Sequence, residues 1–119
     1  MTRRFIVLAC MCAVLGGCEA PMARGVEAYN AGCYPEAASQ LVASEADLPD
    51  MSARQRTRYA LYRGLAHLAL DDVRAAHPWI QYSKAMWDSN RWLLDPKDAG
   101  RLLSAWQALG HERGEWGMR

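Results

Sequence analysis

Shifted along itself by 39 positions, the sequence pairs Gly25 with Gly64, Ala37 with Ala76, Ser44 with Ser83, Ala46 with Ala85 and Arg24 with Arg63. The same shift sets Val26 against Leu65 and Leu41 against Ile80. A chain that repeats at a fixed interval builds one supersecondary unit more than once, and no single copy buries its apolar face alone. Ala is abundant, Phe occurs once, and Val and Ile are sparse after the first segment. That mixture favours closely packed helices over sheet. At 119 residues the chain is one small domain with a single core.

The punctuation agrees with helices. Residues 24–34 carry Val26, Ala28 and Tyr29 near one face, and Gly32 and Pro35 interrupt them. Pro35 is placed to open a second helix over 35–46, with Ala38 and Leu41 as its core residues. Leu48-Pro49-Asp50 ends that helix. Ser52-x-x-Gln55 is a capping box and starts a long helix over 53–70. Its Tyr59, Tyr62 or Leu61, Leu65, Leu68 and Ala69 recur at helical spacing, with Arg54, Arg56, Arg58 and Arg63 assigned to the wet side. Asp71-Asp72 makes a turn. Residues 73–89 then place Ala76, Ile80, Ser83 and Trp87 on one stripe, although Pro78 should kink that helix or delay its start. Asp95-Pro96-Lys97-Asp98 opens a last helix whose apolar face is Leu102, Leu103, Trp106 and Leu109, and Gly110 stops it.

The two copies resemble the tetratricopeptide repeat family. Gly25, Tyr34, Ala37, Leu41 and Pro49 fall at that family's spacing, and Gly64, Ala76 and Ile80 follow in the second copy. The turn GCYPEA resembles the family's Gly-x-Tyr-x-x-Ala. Departures are plain: Pro21 and Arg24, then Ala60 and Arg63, stand where the family has Trp and Leu, and Asp88 replaces the terminal Pro. The resemblance implies an all-α domain over 24–110, made of two antiparallel helical hairpins and a C-terminal capping helix. Two copies fall short of a free-standing solenoid, so the last helix has to act as the cap.

Ahead of this domain, Arg3 and Arg4 precede an apolar run of eleven residues, 5–15, which is too short to span a bilayer. Leu15-Gly16-Gly17-Cys18 follows directly and resembles the lipobox of bacterial lipoproteins. The resemblance implies cleavage of residues 1–17 and a diacylglyceryl thioether on Cys18, often with a third acyl chain on the new amine. It also implies a short lipidated linker over 18–23. Two or three acyl chains anchor a protein effectively permanently. Glu19, in place of the Asp that signals inner-membrane retention in such proteins, favours the outer membrane of a Gram-negative source, facing the periplasm. Cys10 and Cys12 leave with the signal, so only Cys33 keeps a thiol and the mature chain has no intramolecular disulfide. A small buried apolar role suits Cys33 best.

Net charge is +1 for the whole chain, and processing leaves 12 basic against 13 acidic residues. No cationic excess is available to replace phosphate counterions, which excludes a nucleic-acid partner. His67, His77 and His111 form no i, i+4 pair, so there is no metal motif, and no nucleophile motif points to an enzyme. No cofactor is expected beyond the covalent lipid on Cys18. Residues 111–119 read as a flexible tail. The aromatic residues carry the binding expectation: Trp79, Tyr82 and Met86 share one helix face, with Tyr59 and Tyr62 on the neighbouring helix. Two covers compete for those faces, Trp92 with the last helix, or a partner. The functional expectation is therefore a membrane-anchored, non-catalytic interaction module for another envelope protein. The alternative is a periplasmic small-ligand or sensing lipoprotein, its ligand held near Tyr29, Tyr59, Tyr62 and Trp106.

Overall fold

The structure, a computed structural model, describes residues 21–110. Among them, five α-helices and two 3-10 turns follow one another with no strand. These are α1 (Pro21–Asn30), α2 (Tyr34–Ala43), a 3-10 helix (Glu45–Asp50), α3 (Ala53–Ala69), α4 (Val73–Ser89), a 3-10 turn (Arg91–Leu93) and α5 (Pro96–Ala108). The expectations for the signal segment, Cys18 and the tail at 111–119 lie outside the described residues.

Each start has a local cause. Ser52 and Gln55 exchange side chain-to-backbone hydrogen bonds as a capping box at α3. Asp72 accepts from the Ala75 amide at α4, and Asp95 accepts from the Asp98 amide at α5. Pro35 sits in the first turn of α2, as the missing amide allows. Several boundaries differ from the sequence reading. α1 begins at Pro21 and ends at Asn30, so Tyr34 opens α2 instead of closing α1. α2 stops at Ala43, where buried Ser44 turns its hydroxyl onto the Gln40 carbonyl, and a separate 3-10 helix then carries Pro49. α4 starts at Val73 and runs through Pro78, so the proline does not delay it.

The repeat is visible bond by bond. Gly32 donates to the Tyr29 carbonyl and Cys33 to the Ala28 carbonyl. Thirty-nine residues on, Asp71 donates to the Leu68 carbonyl and Asp72 to the His67 carbonyl. Both pairs close the preceding helix in the Schellman pattern, which needs a left-handed residue just past the end. Gly32 supplies it with φ +83°, and Asp71 supplies it with φ +66°. Each turn therefore reverses the chain in three residues, and α1 packs on α2 as α3 packs on α4. Cys33 is buried, as expected, but it is disulfide-bonded, the other half of the bond lying outside the described residues.

Inside each pair, a glycine meets an aliphatic side chain. A Cβ on Gly25 would lie 2.6 Å from Leu41 Cγ, and one on Gly64 would lie 2.5 Å from Ile80 Cδ1. Glycine and aliphatic residue are repeat partners in both cases. Ala37 and Ala76, at the other repeated small positions, are fully buried. The stripe Ala76, Ile80, Ser83 and Trp87 is buried as the spacing required, and Ser83 Oγ donates to the Thr57 carbonyl of α3 at 3.0 Å. α5 then covers the second pair with Leu102 and Ala105. Leu103, expected on its apolar face, is instead 38% exposed. Periodicity gives a stripe's phase only to within a residue, and Leu103 falls on the solvent edge.

Gly64→Ala should lower stability by about 1–2 kcal/mol, because overpacking outweighs the gain in helix propensity. Gly100→Ala in α5 meets nothing within 4 Å. It should raise stability by roughly 0.5–1 kcal/mol. Urea unfolding of the three chains compares them directly, and equal midpoints for Gly64→Ala and its parent would contradict the close approach.

Candidate interaction surface

The aromatic residues singled out in the sequence separate into a buried set and a surface set. Tyr59 and Tyr62 are fully buried, so neither is a contact residue, which corrects the expectation. α3 carries core residues over more of its circumference than one stripe, because α1, α2, α4 and α5 all touch it. A helix surrounded on several sides hides its tyrosines wherever their hydroxyls find partners. Tyr59 donates to the Leu41 carbonyl, which fastens α3 to the end of α2. Trp79 is half-buried, its ring edge-on to Tyr59 at 5.5 Å and beneath the Arg63 guanidinium at 4.5 Å. Met86 is half-buried as well. Of these residues Tyr82 is the most exposed, at 40%.

Tyr82 borders a groove of about 650 Å³ between α4 and α5, lined by Pro78, Gln81, Lys84, Ala85, Asp88 and Trp106. Lys84 Nζ lies 5.1 Å from the Trp106 ring centre and pairs with Asp88 at 2.7 Å. The groove thus has an apolar floor and a charged rim. Trp92 does not cover it, because Trp92 lies in the 3-10 turn and is 82% exposed. It lines a different hollow, with Arg54, Trp87, Arg91 and Leu94.

The second feature is a polar cluster inside the domain. Asp98, 1% exposed, accepts from Tyr62 Oη at 2.6 Å and from Arg58 Nε at 3.0 Å. Arg101 Nη1 donates to the Tyr62 hydroxyl and to Asn30 Oδ1, both at 2.8 Å. Five side chains thereby connect α1, α3 and α5. The arginines expected on the wet face of α3 do not all lie there. Arg58 reaches inward to Asp98, and Arg63 bridges Glu45 and the Tyr59 hydroxyl, while Arg56 donates to the Leu48 and Met51 carbonyls. Long cationic side chains bury their stems and keep only the head polar, so charge alone does not assign a face. Beside this cluster opens a cavity of about 400 Å³, lined by Met22, Ala23, Arg54, Arg58, Leu94 and Asp98 among others.

Asp98 and Arg58 were missed as a pair for a local reason. Three residues after an N-cap Asp, an acid reads as helix-start chemistry, and nothing in the spacing joins it to an arginine 40 positions earlier. His67 is half-buried, and burial followed by the nearby Arg63 charge lowers its pKa. Among the described residues, no group of three or more His, Cys, Asp and Glu is placed to hold a metal ion.

Burial pushes the Tyr62 hydroxyl up to about 12, and the hydrogen bond to Asp98 and its negative charge add to the shift. Burial also raises Tyr29 and Tyr59. The neutral phenols therefore contribute in full below the ordinary value of 10.0, and the contribution is withdrawn as pH climbs towards 12. Stability should fall steeply over that range, and Tyr62→Phe should flatten the fall while costing about 1–3 kcal/mol at neutral pH. Urea midpoints at several pH values between neutrality and about 11 read both effects. An unchanged slope in Tyr62→Phe would remove Tyr62 as its source.

Compared with known proteins, the chain matches no family model, no curated protein sequence and no solved structure.

Proposed function

We propose that this chain is a lipid-anchored, non-catalytic protein-protein interaction module of the bacterial envelope, an accessory subunit of a larger assembly. The observation that carries the reading is the order Arg3-Arg4, apolar 5–15 and Leu15-Gly16-Gly17-Cys18, followed after two residues by α1. A signal of this kind puts the domain outside the cytoplasm and attaches it through Cys18. The register of 39 supports tetratricopeptide-like hairpins, since turn, glycine and aliphatic partner all recur at that interval. Glu19 favours the outer membrane, with the domain in the periplasm. Among the described residues no helix is long and apolar enough to cross a membrane.

The surface offered to a partner is the groove around Tyr82, with Trp79 and Met86 behind it and Trp106 across from it. An aromatic residue beside an apolar floor with a charged rim suits a hot spot in a protein interface. Tyr59 and Tyr62 serve it from behind, by holding α3. A second reading, a small-ligand lipoprotein, has in its favour the cavity lined by Arg54, Arg58, Asp95 and Asp98.

Lipid attachment excludes a disulfide at the same sulfur. Processing before Cys18 removes Cys10 and Cys12, and the thioether consumes the Cys18 thiol, so an acyl anchor on Cys18 and an intramolecular Cys33 disulfide are alternatives in the mature chain. Cys18→Ser should abolish fatty-acid labelling and leave uncleaved precursor, and mature wild-type chain should show an alkylatable Cys33 on unfolding. Intact-mass spectrometry of membrane-purified chain reads both. A chain that carries no lipid and joins Cys18 to Cys33 would overturn the anchor. A crosslinking pull-down should give one stoichiometric envelope partner that Tyr82→Ala loses. Thermal stabilisation by a small metabolite, with no partner recovered, would favour the second reading.

A further inference from the structure

We infer that the surface around Trp92 is a membrane-contacting face, on which the Trp92 indole and the Arg54 and Arg91 side chains meet phospholipid headgroups. This rests on the anchor reading above, and it assigns the orientation that the anchor imposes.

Chain length supplies the first part of the argument. Met22 lies four residue steps after Cys18, which span at most about 14 Å when fully extended. A lipid on Cys18 therefore pins the Met22 end of α1 close to the headgroups, and whichever surface adjoins Met22 faces the bilayer. Met22 and Ala23 line the 400 Å³ cavity together with Leu93 and Leu94 of the Trp92 turn. Arg54, Leu94 and Asp95 line both this cavity and the neighbouring hollow of about 450 Å³ that contains Trp92. The surface is thus continuous from the anchor to Trp92.

The chemistry of that surface supplies the second part. Trp92 is the most exposed large apolar side chain among the described residues, at 82%. An indole with that exposure wastes apolar area in water, whereas at a bilayer interface its ring meets the acyl boundary and its N–H the headgroups. Its backbone is held, because Arg54 Nη2 donates to the Trp92 carbonyl at 2.7 Å and Asn90 Oδ1 accepts from the Trp92 amide at 3.0 Å. Arg91 flanks it, stacked 4.0 Å from the Trp87 ring centre, with Asp88 3.3 Å away. Arginine is suited to phosphate, which it meets through paired donors. Each contact is weak alone, yet the anchor raises its effective concentration enough for it to set the orientation.

The full chain, purified from bacterial membranes, is reconstituted in vesicles of phosphatidylethanolamine and phosphatidylglycerol at about 3:1, with and without brominated acyl chains. Bromolipid should quench the tryptophan fluorescence of the wild type, and Trp92→Phe should cut the quenched signal roughly twofold. Trp92 is exposed, so its replacement leaves thermal unfolding unchanged, and that control shows the variant folded. An acyl mass increment on the wild type, absent from Cys18→Ser, reports the anchor separately. Equal quenching of wild type and Trp92→Phe on floating vesicles would overturn the membrane face while the anchor stands. A wild-type chain that floats without an acyl mass increment would overturn the anchor, and a chain that does not float would overturn both.

Discussion

Where Gly64 meets Ile80, α3 and α4 approach so closely that a Cβ at position 64 would force the Ile80 side chain aside, and the approach at Gly25 and Leu41 copies it. Two helices brought that close exclude water from the line between them, so the residues flanking the crossing must be small or shaped to fit. Ala37 and Ala76 answer that need, and Ser83 reaches the Thr57 carbonyl because α4 lies near enough for a hydroxyl to bridge. The three-residue turns belong to the same constraint. A left-handed residue directly after the helix sends the chain back along its own side, and a longer connection would not hold the glycine over its partner. Asp71 takes that conformation although glycine takes it more easily, and its neighbour Asp72 caps the helix that follows.

The fifth helix is held differently. Leu102 and Ala105 give α5 a modest apolar face, and its position relative to α1 and α3 is set by Asp98, Tyr62, Arg58 and Arg101. A buried carboxylate with two strong partners adds little net stability, since desolvation offsets much of the attraction. Its geometry is demanding, however, and a helix turned by one residue would leave Asp98 without partners. In this domain the network works as a register pin. It fixes the helix that closes the short repeat array, where a longer array would have supplied another pair.

That closure leaves two surfaces facing outward. One is the groove of Tyr82 and Trp106 between α4 and α5, and the other is the Trp92 turn beside the start of α1. They are built by different elements, so a chain anchored at Cys18 can turn one to the membrane and keep the other for a partner. The proposed module is small for this reason: one face orients it, and the second recognises something else.

Helix starts at Ser52, Asp72, Asp95 and Pro35 were legible because capping is local chemistry, decided within three residues. The interval of 39 and the stripe of α4 were legible too, since periodicity survives without knowledge of neighbours. The burial of Tyr59 and Tyr62 was not, because it depends on how many helices surround α3, and no pattern on one helix reports that. The Arg58–Asp98 pair joins residues 40 positions apart, and the free ring of Trp92 is left by a turn that covers nothing. The sequence by itself determined the helices and their repeat, which short-range chemistry specifies. Only the tertiary structure decided which aromatics are core, which arginines turn inward and which surfaces stay open, because burial is a property of several elements meeting.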